Sequence, residues 1–498
     1  MSQSGGRKVS RSGGRERRSA GPSSPVARPA ETPSVSRRRP SVVEGSAGTA
    51  CGPPAGTSLP GSPPLGDRPR GPQARPTRPE GMVDSPRDWR HRKESPTTQR
   101  RRSSLAGSSA PRSDTCLIER VREHIPLIRS HAARGEQRRR VTAEVVEALS
   151  GTGIYRMNVP RHYGGYQSSL RTQIDVLSEV SVACGSAGYM AMIQTGTSFI
   201  AALFPDEAQD EIFSRPDARV SGTLIPGSRA VPVDGGYVVS GRSPFATGCQ
   251  DADWHLLTAL ADTGDGPPET LWLAIPMTDL TVLDDWDVTG LTGSGSNTVV
   301  AQDVHVPAHR VLPVEPLLAG VFPSQRSGAD PFYRMPVLLL FMVWLAGNAL
   351  GLARAALTEF GQRIQQRGIT YTFYEHQNEA AVTHLQFAEA TMKVTSAELL
   401  TAGLVELVES KASSGEPYTT EERARIRAQG GYIARLCKEA ADLVGSASGA
   451  SSLHREVPIQ RIVRDLNALN LHSFVNPTAN LELYGRVLSG LDPRTPFL

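Results

Sequence analysis

The spacing of apolar positions changes three times along this chain of 498 residues. From Asp114 the repeat is helical: "SDTCLIERVREHIPLIRSHAARGEQRRRVTAEVVEALSGTG" predicts two helices, opened by Ser113 or Asp114 and closed by Gly151 and Gly153. An irregular stretch, "GIYRMNVPRHYGGYQ", follows, and helix then resumes through 169–204 and 205–215, with Pro205 suited to a helix start. Near Val220 the period becomes two. Short strands are expected to about Leu312, with Asp234–Gly235 as a hairpin turn, and their regular spacing suggests a small barrel or sandwich. After Pro331 the pattern is helical again over 335–367, 377–410, 420–445 and 457–473, with a Gly/Ser-rich loop at 445–452. In the last helix Leu466, Leu469 and Ser473 fall on one face, and His472 lies beside that stripe.

Composition adds a further segment in front. Residues 1–113 carry 22 Lys+Arg against 8 Asp+Glu and 17 of the 38 prolines, with no aromatic residue before Trp89. So little apolar surface cannot offset the entropy of ordering, so this basic tail is expected to be disordered, and Met82 offers a second possible start. The remaining chain is acidic, 32 basic against 42 acidic residues, which argues against nucleic acid as its main partner. Five scattered cysteines without a C-x-x-C pair fit a reducing, cytoplasmic setting with no metal site, and no apolar leader is seen. "VLLLFMVWLAGNALGLA" (337–353) approaches the length of a membrane span, but Asn348 interrupts it and Arg354 ends it, so a helix buried among others is expected, with no membrane role. The resulting expectation is a basic tail (1–113), an N-terminal helical domain (114–219), a β domain (220–315) and a C-terminal helical bundle (330–498).

No G-x-G-x-x-G follows a strand, and G-x-x-x-x-G-K-S/T, H-E-x-x-H and G-x-S-x-G are all absent. "TGLTGSGSN" (289–297) reads either as a plain loop or as a set of backbone N–H groups and serines able to hold a ligand edge.

Four segments in order, "RMNVPRHYGG", "DGGYVVSGRSPFATGCQDADW", "GLTGSGSNTVVAQDVHVP" and "LHREVPIQRIVRDLNALNLHS", resemble the acyl-CoA dehydrogenase superfamily over nearly 385 residues. The resemblance implies an α+β fold: an N-terminal helical domain, a central small β-barrel or sandwich, and a C-terminal four-helix bundle. The dehydrogenases of that family need a carboxylate base. Their two usual places for it are here taken by Ser473 and Phe341. One branch fits these departures, the oxygenase components of two-component flavin-dependent monooxygenases. These take reduced FMN or FAD from a separate NAD(P)H:flavin reductase and use O2 to oxygenate a small aromatic or polycyclic substrate through a flavin C4a-hydroperoxide.

That branch implies catalytic roles for His472 and Thr247, the latter in "PFATG". An imidazole can hydrogen-bond a peroxide or deprotonate the substrate, and a hydroxyl can bond the flavin N5 edge. The same resemblance places Phe245 and Gly248 against the flavin ring, Ser294 and Ser296 on flavin or substrate, and Arg367 on a flavin phosphate across subunits of a homotetramer. Each has a structural alternative: His472 lining a helix interface, Phe245 as strand core, the serines as turn formers, Arg367 as a charge at a helix C-terminus. Cys249 is expected only to pack. The rival readings are a dehydrogenase or desaturase with a relocated base, and a silent scaffold acting through its basic tail.

Overall fold

The computed structural model describes residues 112–498 apart from 263, 265 and 496, so the expected disorder of the basic tail lies outside the described residues. Helices α1 (Arg112–Arg138), α2 (Ala143–Thr152), α3 (Leu170–Ala183), α4 (Gly185–Ala201) and α5 (Asp206–Ile212) come first. Gly153 ends α2 at φ 82°, a conformation open to glycine without strain, and the Ser169 hydroxyl caps α3. The single helix expected over 169–204 is broken at Cys184, which is extended (φ −157°, ψ 116°). The break lets Gly185 approach the next layer so closely that a Cβ there would stand 2.7 Å from both Asp465 Oδ2 and Leu352 Cδ2.

Eight strands follow: β1 (Val220–Gly222), β2 (Ser228–Val233), β3 (Gly236–Ala246), β4 (Trp254–Ala261), β5 (Glu269–Pro276), β6 (Thr281–Val282), β7 (Asn297–Pro307) and β8 (Val311–Pro313). They form one sheet in the order β6-β7-β3-β2-β4-β5-β8, with β1 alongside β4. The Asp234–Gly235 hairpin is present, Val233 facing Gly236. The inward residues of β2 to β5 and β7, among them Val239, Leu257, Leu271, Leu273 and Val306, close a core of their own. The β3–β7 pairing shifts register between Ser243 and Ala246, and Phe245 in that bulge has φ 60°. Bulges re-aim side chains, and this one turns Phe245 out of the sheet.

The remaining helices are α6 (Val314–Leu318), α7 (Gln325–Gly328), α8 (Val337–Arg363), α9 (Ala381–Ser414), α10 (Thr420–Ala447), α11 (Pro458–Asn470) and α12 (Pro477–Leu488). The apolar run in α8 is a core helix, with 94% of its most apolar window buried. Two expectations need correction. Helix α10 runs on to Ala447, and the Gly/Ser loop begins only where the Ser448 hydroxyl donates back to Val444 O and Gly449 turns at φ 68°. Helix α11 stops at Asn470, whose side-chain amide donates to Leu466 O and Ala434 O, so His472 lies in the turn after the helix. Helix α12 falls within the helical bundle expected over 330–498, and Asn476 followed by Pro477 is its cap and first-position proline pair.

Candidate active site

Two loops of the β region meet at three hydroxyls. Thr247, just after β3, lies 2.8 Å (Oγ1 to Oγ) from Ser296 in the 289–297 loop, and Ser296 lies 2.8 Å from Ser294. The Gly248 N–H donates to Ser294 O at 3.0 Å, joining the loops through the backbone as well. Gly248 has φ 65°, and a Cβ there would stand 2.7 Å from Met190 and 2.8 Å from Gln194 Nε2, so only glycine lets α4 approach this turn. Gln194 Nε2 in turn donates to Gly248 O (3.2 Å). Phe245 is 59% exposed and edge-on to Trp286, with ring centroids 6.0 Å apart. It is an open aromatic surface and not strand core.

His472 joins the same neighbourhood through Tyr189 of α4, which stands edge-on to the imidazole at 6.4 Å; Phe474 lies 5.5 Å away on another side. The Tyr189 hydroxyl neighbours that of Thr247. His472 Nδ1 accepts the backbone N–H of Phe474 (3.3 Å), which assigns the proton of the neutral ring to Nε2. Nε2 has no protein partner among the described residues. Burial alone pushes the His472 pKa down to about 4, so the ring is neutral near pH 7. Protein surrounds His472 and Tyr189, yet both keep part of their surface accessible.

A folded-state pKa below the free value of 6.5 means stability is gained above pH 6.5 and lost as pH falls toward 4. His255, buried between Ser221 and Ser243 and pushed down to about 3, acts in the same direction. Melting temperature should therefore fall steeply between pH 6.5 and 4, and His472→Gln should flatten that limb in a thermal scan across pH.

Consecutive charged residues hold this geometry. Arg139 pairs with both oxygens of Asp284 (2.8 and 2.7 Å), and Arg140 pairs with Asp251 (2.9 and 2.5 Å), so one turn of the N-terminal region clamps both β loops. On α11, Arg464 donates to Thr289 O (2.7 Å) and pairs with Glu136 (2.6 Å), while Asp465 Oδ1 accepts the Leu291 N–H (2.7 Å). Burial raises the Asp465 carboxyl pKa to about 6. Asp465 thus ties the hydroxyl loop to the helix that ends beside His472. Its signal was the R-D pair in the sequence; Tyr189 had none.

Arg367 is not brought to this site within one chain. Its guanidinium rests on Ser448 O and on Ser451 Oγ (3.2 Å), beside Arg363. Both line a 410 Å³ groove with Glu456 and the first residues of α11. The thirteen residues of α11 put that groove about 20 Å from the turn holding His472. Neither arginine makes an ion pair among the described residues. Of the two usual base positions, Ser473 is exposed and Phe341 is buried against Trp344 and Phe474.

Comparison with known proteins bears on what this arrangement serves. The family models for the acyl-CoA dehydrogenase N-terminal and C-terminal domains match residues 119–216 and 343–477. The oxygenase component of the FADH2-dependent resorcinol hydroxylase of a Rhizobium species is 31% identical, over 76% of this chain and 95% of that protein. The chain belongs to the flavin-dependent monooxygenase branch of the acyl-CoA dehydrogenase superfamily. The HsaA oxygenase subunit of Rhodococcus jostii is 29% identical over 75% of this chain and 98% of that protein. Among solved structures, XiaF from a Streptomyces species, in complex with FADH2 and glycerol, superposes with a TM-score of 0.73 at 30% identity, covering 77% of this chain and 98% of that one. As a monooxygenase of this branch, the protein is an oxidoreductase that uses reduced flavin and O2 and depends on a separate flavin reductase. The residues present fit a flavin: an open aromatic at Phe245, a hydroxyl cluster at Thr247, and, among the described residues, an unpartnered Nε2–H at His472 and two arginines without carboxylate partners.

Proposed function

We propose that this monooxygenase hydroxylates, or oxygenates at N or S, a small aromatic or polycyclic compound held beside Tyr189, His472 and Phe474. The carrying observation is the neutral His472, whose Nε2–H has no partner among the described residues and whose ring lies between those of Tyr189 and Phe474. Reduced flavin supplies the electrons that activate O2, one oxygen atom going to the substrate and the other leaving as water. His472 then acts as a hydrogen-bond donor toward oxygen. A depressed pKa and an Nδ1 already bonded make it a poor base, so donation is favoured over substrate deprotonation. Burial of the His472 ring beside Tyr189 and Phe474 keeps water scarce at Nε2, which limits loss of the activated oxygen. Relatives named for resorcinol and p-hydroxyphenylacetate support a phenolic substrate. With a reductase and NADH, a panel of phenols should give product in preference to H2O2, whereas acyl-CoA thioesters should give none. Oxygen-independent turnover of a thioester with an artificial acceptor would sink this reading.

We also propose a cytoplasmic homotetramer in which Arg363 and Arg367 of one subunit hold the flavin phosphate of another. Leu385, Met392 and Leu399 are 73%, 61% and 72% exposed at seven-residue spacing, an apolar stripe along α9 that a second copy would cover. Met392→Glu should reduce the assembly to smaller species in light scattering and weaken flavin binding together. An unchanged mass would remove α9 from the interface.

A further inference from the structure

A cavity of 570 Å³ lies where the segment between α6 and α8 meets the turn joining α9 to α10. Tyr189, Phe245, Thr247, His472 and Phe474 are not among its lining residues. Its apolar wall comes from Leu203, Leu317, Phe322, Val337 and Leu338. The last two stand one turn before Phe341 on α8, whose ring meets that of Phe474 at 6.0 Å, so buried aromatic packing separates the cavity from His472. The volume falls within the range of about 300–1,000 Å³ common to small-molecule sites, which pair an apolar lining with a few polar groups.

The polar groups gather at the α9–α10 end. A Cβ on Gly415 would stand 3.7 Å from Arg334 Nη1, so that guanidinium lies over the turn that closes α9. Lys411 and Arg423 each stand 5.6 Å from the centre of the Tyr418 ring. Lys411 is paired with Glu422 (2.9 Å), and Glu416, also in the wall, lies 3.9 Å from it. Arg334 and Arg423 make no ion pair among the described residues, and Arg423 uses one N–H on Leu498 O (3.3 Å). Three cations against two carboxylates leave an excess of one positive charge. The Tyr418 hydroxyl is buried without a hydrogen-bond partner among the described residues, a state that costs free energy until an acceptor arrives. We propose that this cavity is a binding site for a small amphipathic monocarboxylate, its aryl or branched alkyl body against the leucines and Phe322 and its carboxylate between Arg334, Arg423 and the Tyr418 hydroxyl. A planar guanidinium matches both oxygens of a carboxylate. A phosphomonoester would bring a second negative charge that nothing here balances, beside Glu416.

Calorimetric titration of 4-phenylbutyrate into the full-length protein tests the site, with 4-phenyl-1-butanol and acetate as probes that lack the charge or the apolar body. The acid should bind at one site per chain, at least about tenfold more tightly than either. Arg334 is exposed, so Arg334→Gln should keep the fold. It should weaken the acid at least about fivefold while the alcohol stays within about twofold of its wild-type affinity, and Arg423→Gln should do the same. Ala319, exposed at the cavity wall, gives the test of place: Ala319→Trp sets an indole into the space and should abolish binding of the acid. If Arg423→Gln fails to fold, the other two variants carry the test. Acid binding that survives Ala319→Trp, or that stays within about twofold of wild type in the arginine variants, overturns the proposal. So does equal binding of acid and alcohol, which is an apolar cleft without anion recognition, and equal binding of acid and acetate, which is ion pairing on surface arginines. No binding of the acid at all overturns it outright.

Discussion

His472→Ala should fold and bind reduced flavin like the wild type, yet lose product formation by about 10²-fold or more, with the missing electrons recovered as H2O2. The expectation follows from where the side chain sits. The imidazole closes no core, since part of its surface stays accessible, and the backbone of its turn is held independently by Asn470, by the N–H of His472 itself donating to Leu469 O, and by the Val475 N–H donating to His472 O. What is lost is one donor, Nε2–H, in a water-poor site where such a bond is worth far more than in solution. His472→Asn should restore part of the coupling, because an amide also donates, and neither variant should move the thermal midpoint by much at pH 7, where the imidazole is neutral. Product formation and H2O2 release measured in the same assay decide the matter: normal coupling in the alanine variant would remove His472 from the chemistry.

Asp465→Ala should produce the second large effect, through a different route. Asp465 is buried behind the site, and its Oδ1 accepts the Leu291 N–H at the start of the hydroxyl loop. Removing it orphans a buried donor, costing about 1–3 kcal/mol, and releases a loop whose Leu291 holds φ 51°, so reduced-flavin affinity should fall at least about tenfold. Asp465→Asn keeps an acceptor oxygen and should bind flavin nearly as well as wild type, which separates loss of the bond from loss of the charge. The pH dependence gives a further check. A folded-state pKa near 6, above the free value of 3.8, means this group favours folding most below pH 3.8 and loses that contribution as pH rises through 6. The asparagine variant should therefore lose a stability change of that sign between pH 4 and 6. Equal flavin affinity in the alanine and asparagine variants would show that the loop does not depend on Asp465.

The sequence exposed the fold well where periodicity was long and the boundaries chemically marked. Helix α8 was legible because its polar interruption at Asn348 distinguished a buried helix from a membrane span, and the Asp234–Gly235 turn fixed one hairpin. It was less legible where tertiary contacts decide. The break at Cys184 exists because Gly185 abuts Asp465 and Leu352, two positions far away in the chain. The end of α11 depends on Asn470 reaching Ala434 on another helix. The same holds for the site. Thr247, Gly248, Ser294 and Ser296 were found because they sit in loops that the family resemblance marked, and they do converge. Tyr189 was missed because a tyrosine one turn into an apolar helix reads as core; only the fold sets its ring against His472. Arg139 and Arg140 were counted as charge, and their use as two clamps on two loops is visible only in three dimensions.

The most direct test of the oxygenase account is the isotopic composition of the product formed under 18O2, with reduced flavin supplied by a reductase. One 18O atom per product molecule is predicted, with the other oxygen in water. A product that is desaturated, or that carries only solvent oxygen, would contradict the account and return the protein to dehydrogenase chemistry.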